Sequence, residues 1–178
     1  EDTGDLGMSV IGYRGNNNIE NSMSNVRVIN SGGEGIYIEV DGFGSGEATT
    51  ILEDVISKQS DGHGLEYRVA AAAGSLVLKG QNHFDDNEGL GVVFSGGATA
   101  SVSHGKVTAN GNQAGGISTE NVSFEVEKKG SVVACGNKDF DVDALGTSTF
   151  TGHNYMCDVA IGAESPQCKP CKQSKSRK

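Results

Sequence analysis

Apolar residues recur along this chain as short runs separated by loops rich in glycine and polar residues, with a period of about two dozen residues. Successive copies start near Val26, Ile56, Phe84, Val107 and Val132. Within the clearest runs, apolar and polar residues alternate, which is typical of strands that bury one face. A repeat of this length built of strands and turns predicts a β-solenoid.

Two positions recur in every copy. A polar residue follows the first apolar run of each copy. If the copies stack as coils, these residues form a column of Asn30, Gln59, Asn87, Asn110 and Cys135. An apolar residue opens the next strand, and the column it predicts contains Ile36, Leu65, Leu90, Ile117 and Phe140. Stacked coils place equivalent residues about 4.8 Å apart, so a column of side-chain amides can form a hydrogen-bonded ladder at a bend.

The first full copy contains three strands, Asn25–Ile29, Gly35–Val40 and Thr49–Leu52. The later copies repeat this order, with strands predicted at Val55–Lys58, Gly64–Val69 and Ser75–Lys79; Asn82–Phe84, Leu90–Phe94 and Thr99–Ser103; Lys106–Ala109, Ile117–Thr119 and Val122–Val126; and Ser131–Ala134, Phe140–Val142 and Thr147–Phe150. We therefore predict an all-β, right-handed parallel β-helix of about five to six coils. An antiparallel β-sandwich is the alternative, but the two columns keep their order through five copies, which favours the solenoid.

Three segments follow from this layout. Residues 1–24, in which Met8–Tyr13 resembles a strand, are predicted to be a degraded coil or the continuation of a longer chain. Residues 25–150 contain the repeats, and residues 151–178 form an irregular cap with cysteines and a basic tail. The ends of a solenoid expose unpaired strand edges, and the N-terminal end shows no amphipathic helix, so we expect more chain or a partner there.

Several segments resemble the right-handed parallel β-helix repeat family of the pectin-lyase-like superfamily. They are Phe84–Val92, Val107–Asn110 and Gln113–Ile117, and the likeness covers roughly residues 25 to 150. The resemblance implies the fold. It leaves activity open, because members include pectate lyases, polygalacturonases, phage tailspikes and surface adhesins, and a fold alone does not set a function.

The charge balance argues against some partners. The net charge is −9, although Lys169 to Lys178 alone carry five positive charges and no acid. An acidic body repels phosphate backbones, so we expect no nucleic-acid partner. We interpret the basic tail as a solvated terminus. No apolar stretch has the length of a membrane span.

Acidic residues in two loops are the candidates for catalysis. In the superfamily that the chain resembles, lyases hold Ca²⁺ with clustered Asp, and hydrolases use two or three Asp on adjacent coils. Asp85, Asp86 and Glu88 share one loop, and Asp61 lies in the loop below. Asp85, Asp86 and Glu88 are therefore a possible calcium site, and the four residues a possible acid/base set. Solvated loop acids are the simpler interpretation, so no cofactor is expected, with Ca²⁺ as the alternative.

A second candidate is a glycan-binding surface on the outer side of two neighbouring coils. The alternation turns Tyr37, Glu39, Glu66 and Arg68 outward and Tyr67 inward. Arg68 is expected one level above Glu39, where a surface ion pair contributes little. The chain has no Trp for sugar stacking, so an ordinary solvated surface is the alternative interpretation.

Three histidines, His63, His83 and His104, are spaced about one coil apart. The predicted strands place them at different corners of the coil, so we do not expect a joint metal site. Asn121-Val122-Ser123 is a glycosylation sequon at the start of an exposed strand.

Four cysteines, Cys135, Cys157, Cys168 and Cys171, suit two disulfides in an oxidising compartment. Cys135 and Cys157 are separated by about one coil, so stacking can bring them to bonding distance. Free thiols, a zinc site and a redox pair in Cys168-Lys169-Pro170-Cys171 are the alternatives.

Together these patterns predict an extracellular or cell-surface module with a structural or glycan-binding role and no catalysis. The alternative is a polysaccharide lyase or hydrolase, or a fragment of one, that uses the loop carboxylates.

Overall fold

The computed structural model describes residues 7–14, 18–42, 46–70 and 74–171, and within these ranges the chain contains strands and no helix. In chain order the strands are β1 (Met8–Arg14), β2 (Ile19–Ser24), β3 (Arg27–Ile29), β4 (Ile36–Gly42), β5 (Ala48–Glu53), β6 (Ile56–Lys58), β7 (Leu65–Val69), β8 (Gly74–Asp85), β9 (Leu90–Ser95), β10 (Thr99–Thr108), β11 (Gly115–Glu120), β12 (Ser123–Val133), β13 (Phe140–Leu145), β14 (Thr149–Gly152), β15 (Tyr155–Met156) and β16 (Ala160–Ile161).

All of these strands pair in parallel with the equivalent strand of the next coil. The first sheet has the order β1-β4-β7-β9-β11-β13-β16, and the second follows the path β2-β5-β8-β10-β12-β14. The short strands β3, β6 and β15 join the second sheet, which therefore contains nine strands. The predicted parallel β-solenoid is confirmed, with about five turns.

One corner of each coil is a single residue, which allows β8, β10 and β12 to cross it as continuous strands. Asn25 and Asp54 have a φ of 56° at this corner, and Gly80 and Gly105 follow with φ values of 64° and 108°. Asn, Asp and Gly are the residues that best adopt this left-handed conformation. The part of the second sheet beyond the corner, from β3 and β6 to β15, is called here the third face.

The core is a set of columns on the inner sides of the sheets. In the first sheet the paired residues are Ile36, Leu65, Val92, Ile117 and Val142, and all are at most 1% exposed. The predicted column was therefore wrong at Leu90 and Phe140. Both of these pair with Gly115 and are half-buried, two residues before the true core position.

Aromatic rings continue the core toward the C-terminal end. Tyr67 is buried, as predicted, and its ring centroid lies 6.5 Å from that of Phe94. Phe94 stacks on Phe124 at 5.6 Å, and Phe124 stacks on Phe150 at 5.3 Å. Such aromatic neighbours stabilise the interior beyond the area they bury.

A buried amide ladder lies at the bend before the first sheet, and its members are Asn87, Asn112 and Asn137. The backbone N and Nδ2 of Asn87 donate to Oδ1 of Asn112 at 2.9 and 3.0 Å. Asn112 donates in the same way to Oδ1 of Asn137, at 2.9 and 3.0 Å. Nδ2 of Asn137 donates to Oδ1 of Asp141 at 2.9 Å, so a carboxylate ends the ladder.

The predicted polar column was therefore right in kind and wrong in membership. Ser60 stacks below Asn87 and donates its backbone N to Oδ1 of that residue at 3.1 Å. Asn30 and Gln59 lie one position earlier, at a φ of 57°. Asn110 and Cys135 lie two positions before the ladder residues of their coils, Asn112 and Asn137. The backbone N of Cys135 donates to Oδ1 of Asn110 at 2.9 Å. Loops of unequal length produced this offset.

Two disulfides join the last coil to the C-terminal segment, which confirms their number but corrects their pairing. The bonds are Cys135–Cys171 and Cys157–Cys168, with Cα atoms 6.0 and 5.3 Å apart. Cys157 stacks on Ala134 in the interior, where it is 3% exposed. Cys135 directly follows Ala134 in the chain, so its side chain points to the opposite face and cannot reach Cys157.

Candidate functional site

Asp85 ends β8 on the outer side of the third face, where it is only 7% exposed. Nζ of Lys58 lies 3.1 Å from its Oδ2. Oγ1 of Thr108 donates to the same oxygen at 2.9 Å, and the backbone N of Asn110 donates to Oδ1 at 2.9 Å. Both carboxylate oxygens are therefore occupied, and the residue ties together three coils.

His83 completes this network. Its Nδ1 lies 2.8 Å from Oγ1 of Thr108 and 3.6 Å from Oδ2 of Asp85. The single hydroxyl hydrogen of Thr108 goes to Asp85, so the oxygen of Thr108 can only accept from His83. We therefore assign a proton to Nδ1 of His83, which donates to the threonine oxygen. The imidazole is thus held by the network, and its tautomer follows from the hydrogen bonds.

The other candidate carboxylates lie apart from Asp85. Asp61, Asp86 and Glu88 are all exposed. The backbone N of Glu88 donates to the carbonyl of Ser60 at 2.9 Å, which places Glu88 one coil above Asp61 on the turn. Asp86 occupies the left-handed corner that separates Glu88 from Asp85, with a φ of 60°. The loop therefore distributes these acids over the bend.

Within the described ranges, one group of three potential metal-ligating side chains has its ligand atoms within 4.8 Å of one another: Asp141, Asp158 and Cys171. Cys171 is disulfide-bonded, so its sulfur is not a thiolate ligand. Oδ2 of Asp141 accepts from the backbone N of Asp158 at 2.7 Å, and Oδ1 serves the amide ladder. This group therefore has a structural role, and Ca²⁺ at Asp85, Asp86 and Glu88 remains a prediction.

The second candidate surface lies on the outer side of β4 and β7. Tyr37 pairs with Glu66, and Glu39 pairs with Arg68. The hydroxyl of Tyr37 donates to Oε2 of Glu39 at 2.9 Å. These four residues are called here the Tyr37 surface. Arg68 lies beside Glu39, as predicted, but no ion pair within 4.0 Å joins them in the described part of the chain.

The electrostatics of this surface follow from its acids. Burial raises the pKa of Tyr37, and the hydrogen bond to Glu39 and the negative charges of Glu39 and Glu66 raise it further. A hydrogen bond with Arg68 acts in the opposite direction. The phenol is therefore a stable hydrogen-bond donor at neutral pH.

Comparison of the chain with protein-family models, with curated proteins and with solved structures gave no match. None of the described segments is a helix with the length and apolar character needed to cross a membrane.

The three histidines occupy three different columns. Nδ1 of His63 accepts from the backbone N of Leu90 at 3.0 Å. His83 belongs to the Asp85 network, and His104 is exposed on β10.

Asn121 has a φ of 57°, and its Oδ1 accepts from the backbone N of Thr147 at 3.1 Å. The sequon asparagine is exposed, and its glycosylation remains a prediction.

Sequence reasoning missed the partners of Asp85, namely Lys58, Thr108 and Asn110. A signal for Lys58 and Asn110 exists, because these two residues and Asp85 each directly precede a left-handed corner residue. Aligning the copies on Gln59, Asp86 and Gly111 would have placed them in one column. Asp141 was missed because the five lower coils have glycine at the same position, namely Gly7, Gly35, Gly64, Gly91 and Gly116.

Proposed function

We propose that this chain is a non-catalytic, secreted or cell-surface β-solenoid module that binds a glycan on the Tyr37 surface. Two disulfides are typical of proteins from oxidising compartments. The parallel coils also support membership of the pectin-lyase-like superfamily, which is part of the proposal. Among the loop acids, Asp85 supports a non-catalytic role, because it already forms an ion pair with Lys58.

The observation that carries the proposal is the 2.9 Å hydrogen bond from Tyr37 to Glu39. It fixes the phenol on a strand, beside the acceptor groups of Glu66 and the donors of Arg68. An ordered ring edged by charged donors and acceptors suits the apolar faces and the hydroxyl groups of a sugar. Strand positions hold such groups more rigidly than loops do, which reduces the entropy lost on binding.

The test is retention of the chain on a panel of immobilised neutral and acidic polysaccharides, with Ca²⁺ and with chelator, while product release is followed. We expect saturable retention without product, weakened at least about tenfold by Tyr37→Ala, since aromatic contacts often dominate binding energy. Thr99→Ala is the control, because Thr99 is exposed on the other sheet.

Two results would contradict the proposal. Retention that is equal in the wild type and in Tyr37→Ala would move the binding site elsewhere. Ca²⁺-dependent product that disappears in Asp86→Ala would instead favour the lyase or hydrolase alternative, with its site in the carboxylate loop.

A further inference from the structure

The last passage of the chain across the C-terminal end of the solenoid is shorter than the coil beneath it. Asp143 pairs with Ile161 in the first sheet, and Met156 pairs with Lys169 on the third face. Between these two positions the lower coil takes 13 residues, whereas the last passage takes only 8. The lower coil forms β14 on the way, and the last passage contains no strand in the described part of the chain. The last passage therefore lacks a strand above β14.

As a result, β14 is an open edge of the second sheet. Among the described strands it pairs only with β12, and the backbone N of Thr149 donates to the carbonyl of Val122 at 3.0 Å. Backbone groups of alternate residues point to opposite sides of a strand. The N–H groups of Phe150 and Gly152 and the carbonyl of Phe150 therefore point away from β12, and no hydrogen bond to another described residue involves them.

A cleft with a volume of about 700 Å³ lies beside this edge. Its walls are β14 with the turn that follows it and, on the other side, Ser165, Pro166 and Gln167 of the last passage. The rings of Phe150 and Tyr155 also line it, with their centroids 6.0 Å apart in an edge-to-face arrangement. Phe150 is the last of the stacked phenylalanine rings and is half-buried, so one more apolar side chain can pack on it.

The charges at the cleft favour an acidic group in the ligand. Among the residues that line the cleft, Lys169 is a cation, His153 can become one, and none is acidic. Lys169 is exposed and forms no ion pair within 4.0 Å in the part of the chain that the structure describes. The exposed acids Glu125 and Glu164 are next to lining residues but do not line the cleft themselves. A carboxylate beside Lys169 is therefore complementary to the lining, whereas the basic residues after Cys171 would meet a like charge there.

We propose that this cleft binds an extended peptide segment of another protein, which adds to β14 as the missing strand of the second sheet. Its backbone pairs with the free groups of Phe150 and Gly152, and one of its apolar side chains packs on Phe150 and Tyr155. In the parallel orientation that all paired strands of the described solenoid share, its C-terminal end points toward Lys169, where an acidic side chain is expected.

Strand addition to an open sheet edge is a general mode of peptide recognition. A small apolar molecule could fill the cleft, but it would leave the backbone donors and the acceptor of β14 without partners. The cleft lies on the other sheet from the Tyr37 surface, and its ligand is a protein segment and not a glycan, so the two proposals are independent.

The test measures the affinity of the full chain, by fluorescence anisotropy, for a labelled library of short peptides with the pattern Thr-x-Thr-x-Thr-x-Glu. Each x is Gly, Val, Leu, Phe or Tyr, so that apolar side chains alternate with threonines as on a strand. We expect saturable binding that is strongest with Phe or Tyr in the middle and weakest with Gly at every x. Phe150→Ala should weaken the best binder at least about tenfold.

Two N-methylated forms of the best peptide test the strand pairing. One set of alternate N–H groups faces β14 and the other faces away from it. N-methylation removes a donor, so methylation of the first set should weaken binding at least about tenfold, while methylation of the second set should have little effect. Equal effects of the two sets would show that the peptide does not bind as a strand and would overturn the proposal.

The matched control compares Lys169→Glu with Lys138→Glu. Both lysines are exposed, but Lys138 lies on the turn before β13. Lys169→Glu should weaken the peptide that ends in Glu and favour the same peptide with Lys at its end, while Lys138→Glu should do neither. Binding by no peptide of the library, or equal effects of the two variants, would overturn the proposal.

Hydrogen exchange distinguishes a partner from the chain itself as the occupant. The amides of Phe150 and Gly152 should exchange quickly in the free protein and slowly in the complex. Slow exchange in the free protein would show that the chain fills its own cleft, and the proposal would fail. Tyr37→Ala should leave peptide affinity unchanged, and a loss in that variant would place the peptide on the Tyr37 surface. Circular dichroism and unfolding midpoints verify the fold of every variant.

Discussion

At the scale of single residues, Asn112 is the centre of the amide ladder. Its Oδ1 accepts both hydrogen bonds from Asn87, and its Nδ2 donates to Oδ1 of Asn137 and to the carbonyl of Phe84. Asn112→Ala leaves these buried groups without partners, so we expect a loss of about 2–3 kcal/mol or more in the free energy of unfolding. Urea unfolding measures it.

The adjacent residue provides the control for this prediction. Gln113 is exposed, and Gln113→Ala should change the free energy of unfolding by no more than about 0.5 kcal/mol. If the two variants lose the same stability, the ladder does not stabilise the bend as we infer.

A second residue-scale prediction concerns Asp143, which is 8% exposed on the outer side of β13. Burial raises its pKa above the ordinary value of 3.8, and a hydrogen bond with the Ala144 backbone lowers it in part. An acid with a raised pKa in the fold favours its protonated form there. Its stabilising effect is therefore complete below pH 3.8 and is lost as the pH rises through the folded-state pKa.

Asp143→Asn should remove this dependence. Relative to the wild type, the variant should gain more stability at pH 7 than at pH 3.5, because only the wild type has to ionise a buried carboxyl group. Urea unfolding at the two pH values measures the difference. An equal effect of the substitution at both values would show that the carboxyl group is not perturbed by burial.

At the scale of elements, a glycine column lies beside the ladder and allows close approach between coils. A Cβ on Gly116 would overlap the carbonyl oxygen of Asp141 and lie 2.7 Å from Nδ2 of Asn137. We expect Gly116→Ala to destabilise the fold by about 1–3 kcal/mol, as overpacking does. Thermal or urea unfolding provides the measurement.

Gly12 in β1 is the comparison for this substitution. The nearest atom to its added Cβ is Nδ2 of Asn21, the end of a side chain, at 3.3 Å. Gly12→Ala should therefore be tolerated with a small loss. Similar losses in both variants would indicate a general effect of alanine on these strands and not an overlap with the ladder.

At the scale of the whole molecule, the C-terminal segment closes the last coil. The backbone N of Lys169 donates to the carbonyl of Tyr155 at 2.9 Å, and the backbone N of Cys157 donates to the carbonyl of Lys169 at 3.1 Å. The Cys135–Cys171 bond, which spans 36 residues, holds this segment in place. Since each coil contacts only its neighbours, a defect here should stay local.

The double variant Cys135→Ser/Cys171→Ser should lose about 4 kcal/mol of stability, the chain-entropy contribution of a cross-link over such a separation. Hydrogen exchange should increase in β14, β15 and β16 and stay unchanged in β2 and β5. An equal increase along the whole solenoid would show that the coils unfold as one unit and that the cap is not a local element.

The sequence by itself determined the strands and their parallel stacking. The predicted strand Gly35–Val40 and the observed Ile36–Gly42 differ by one or two residues at their ends. Alternation of apolar residues is a local property, because neighbouring side chains on a strand point to opposite faces. It can therefore be read without knowing which coil lies above or below, and it also showed that Tyr67 is inside and Tyr37 outside.

Only the tertiary structure decided which residues lie above one another. Equivalent core positions advance by 29 residues from Ile36 to Leu65 but by 25 from Ile117 to Val142, so any fixed repeat loses the register. An offset of one residue turns a side chain to the opposite face, which is why Cys135 bonds to Cys171 and not to Cys157. The amide ladder and the partners of Asp85 depend on the same register, because their interactions join residues on different coils.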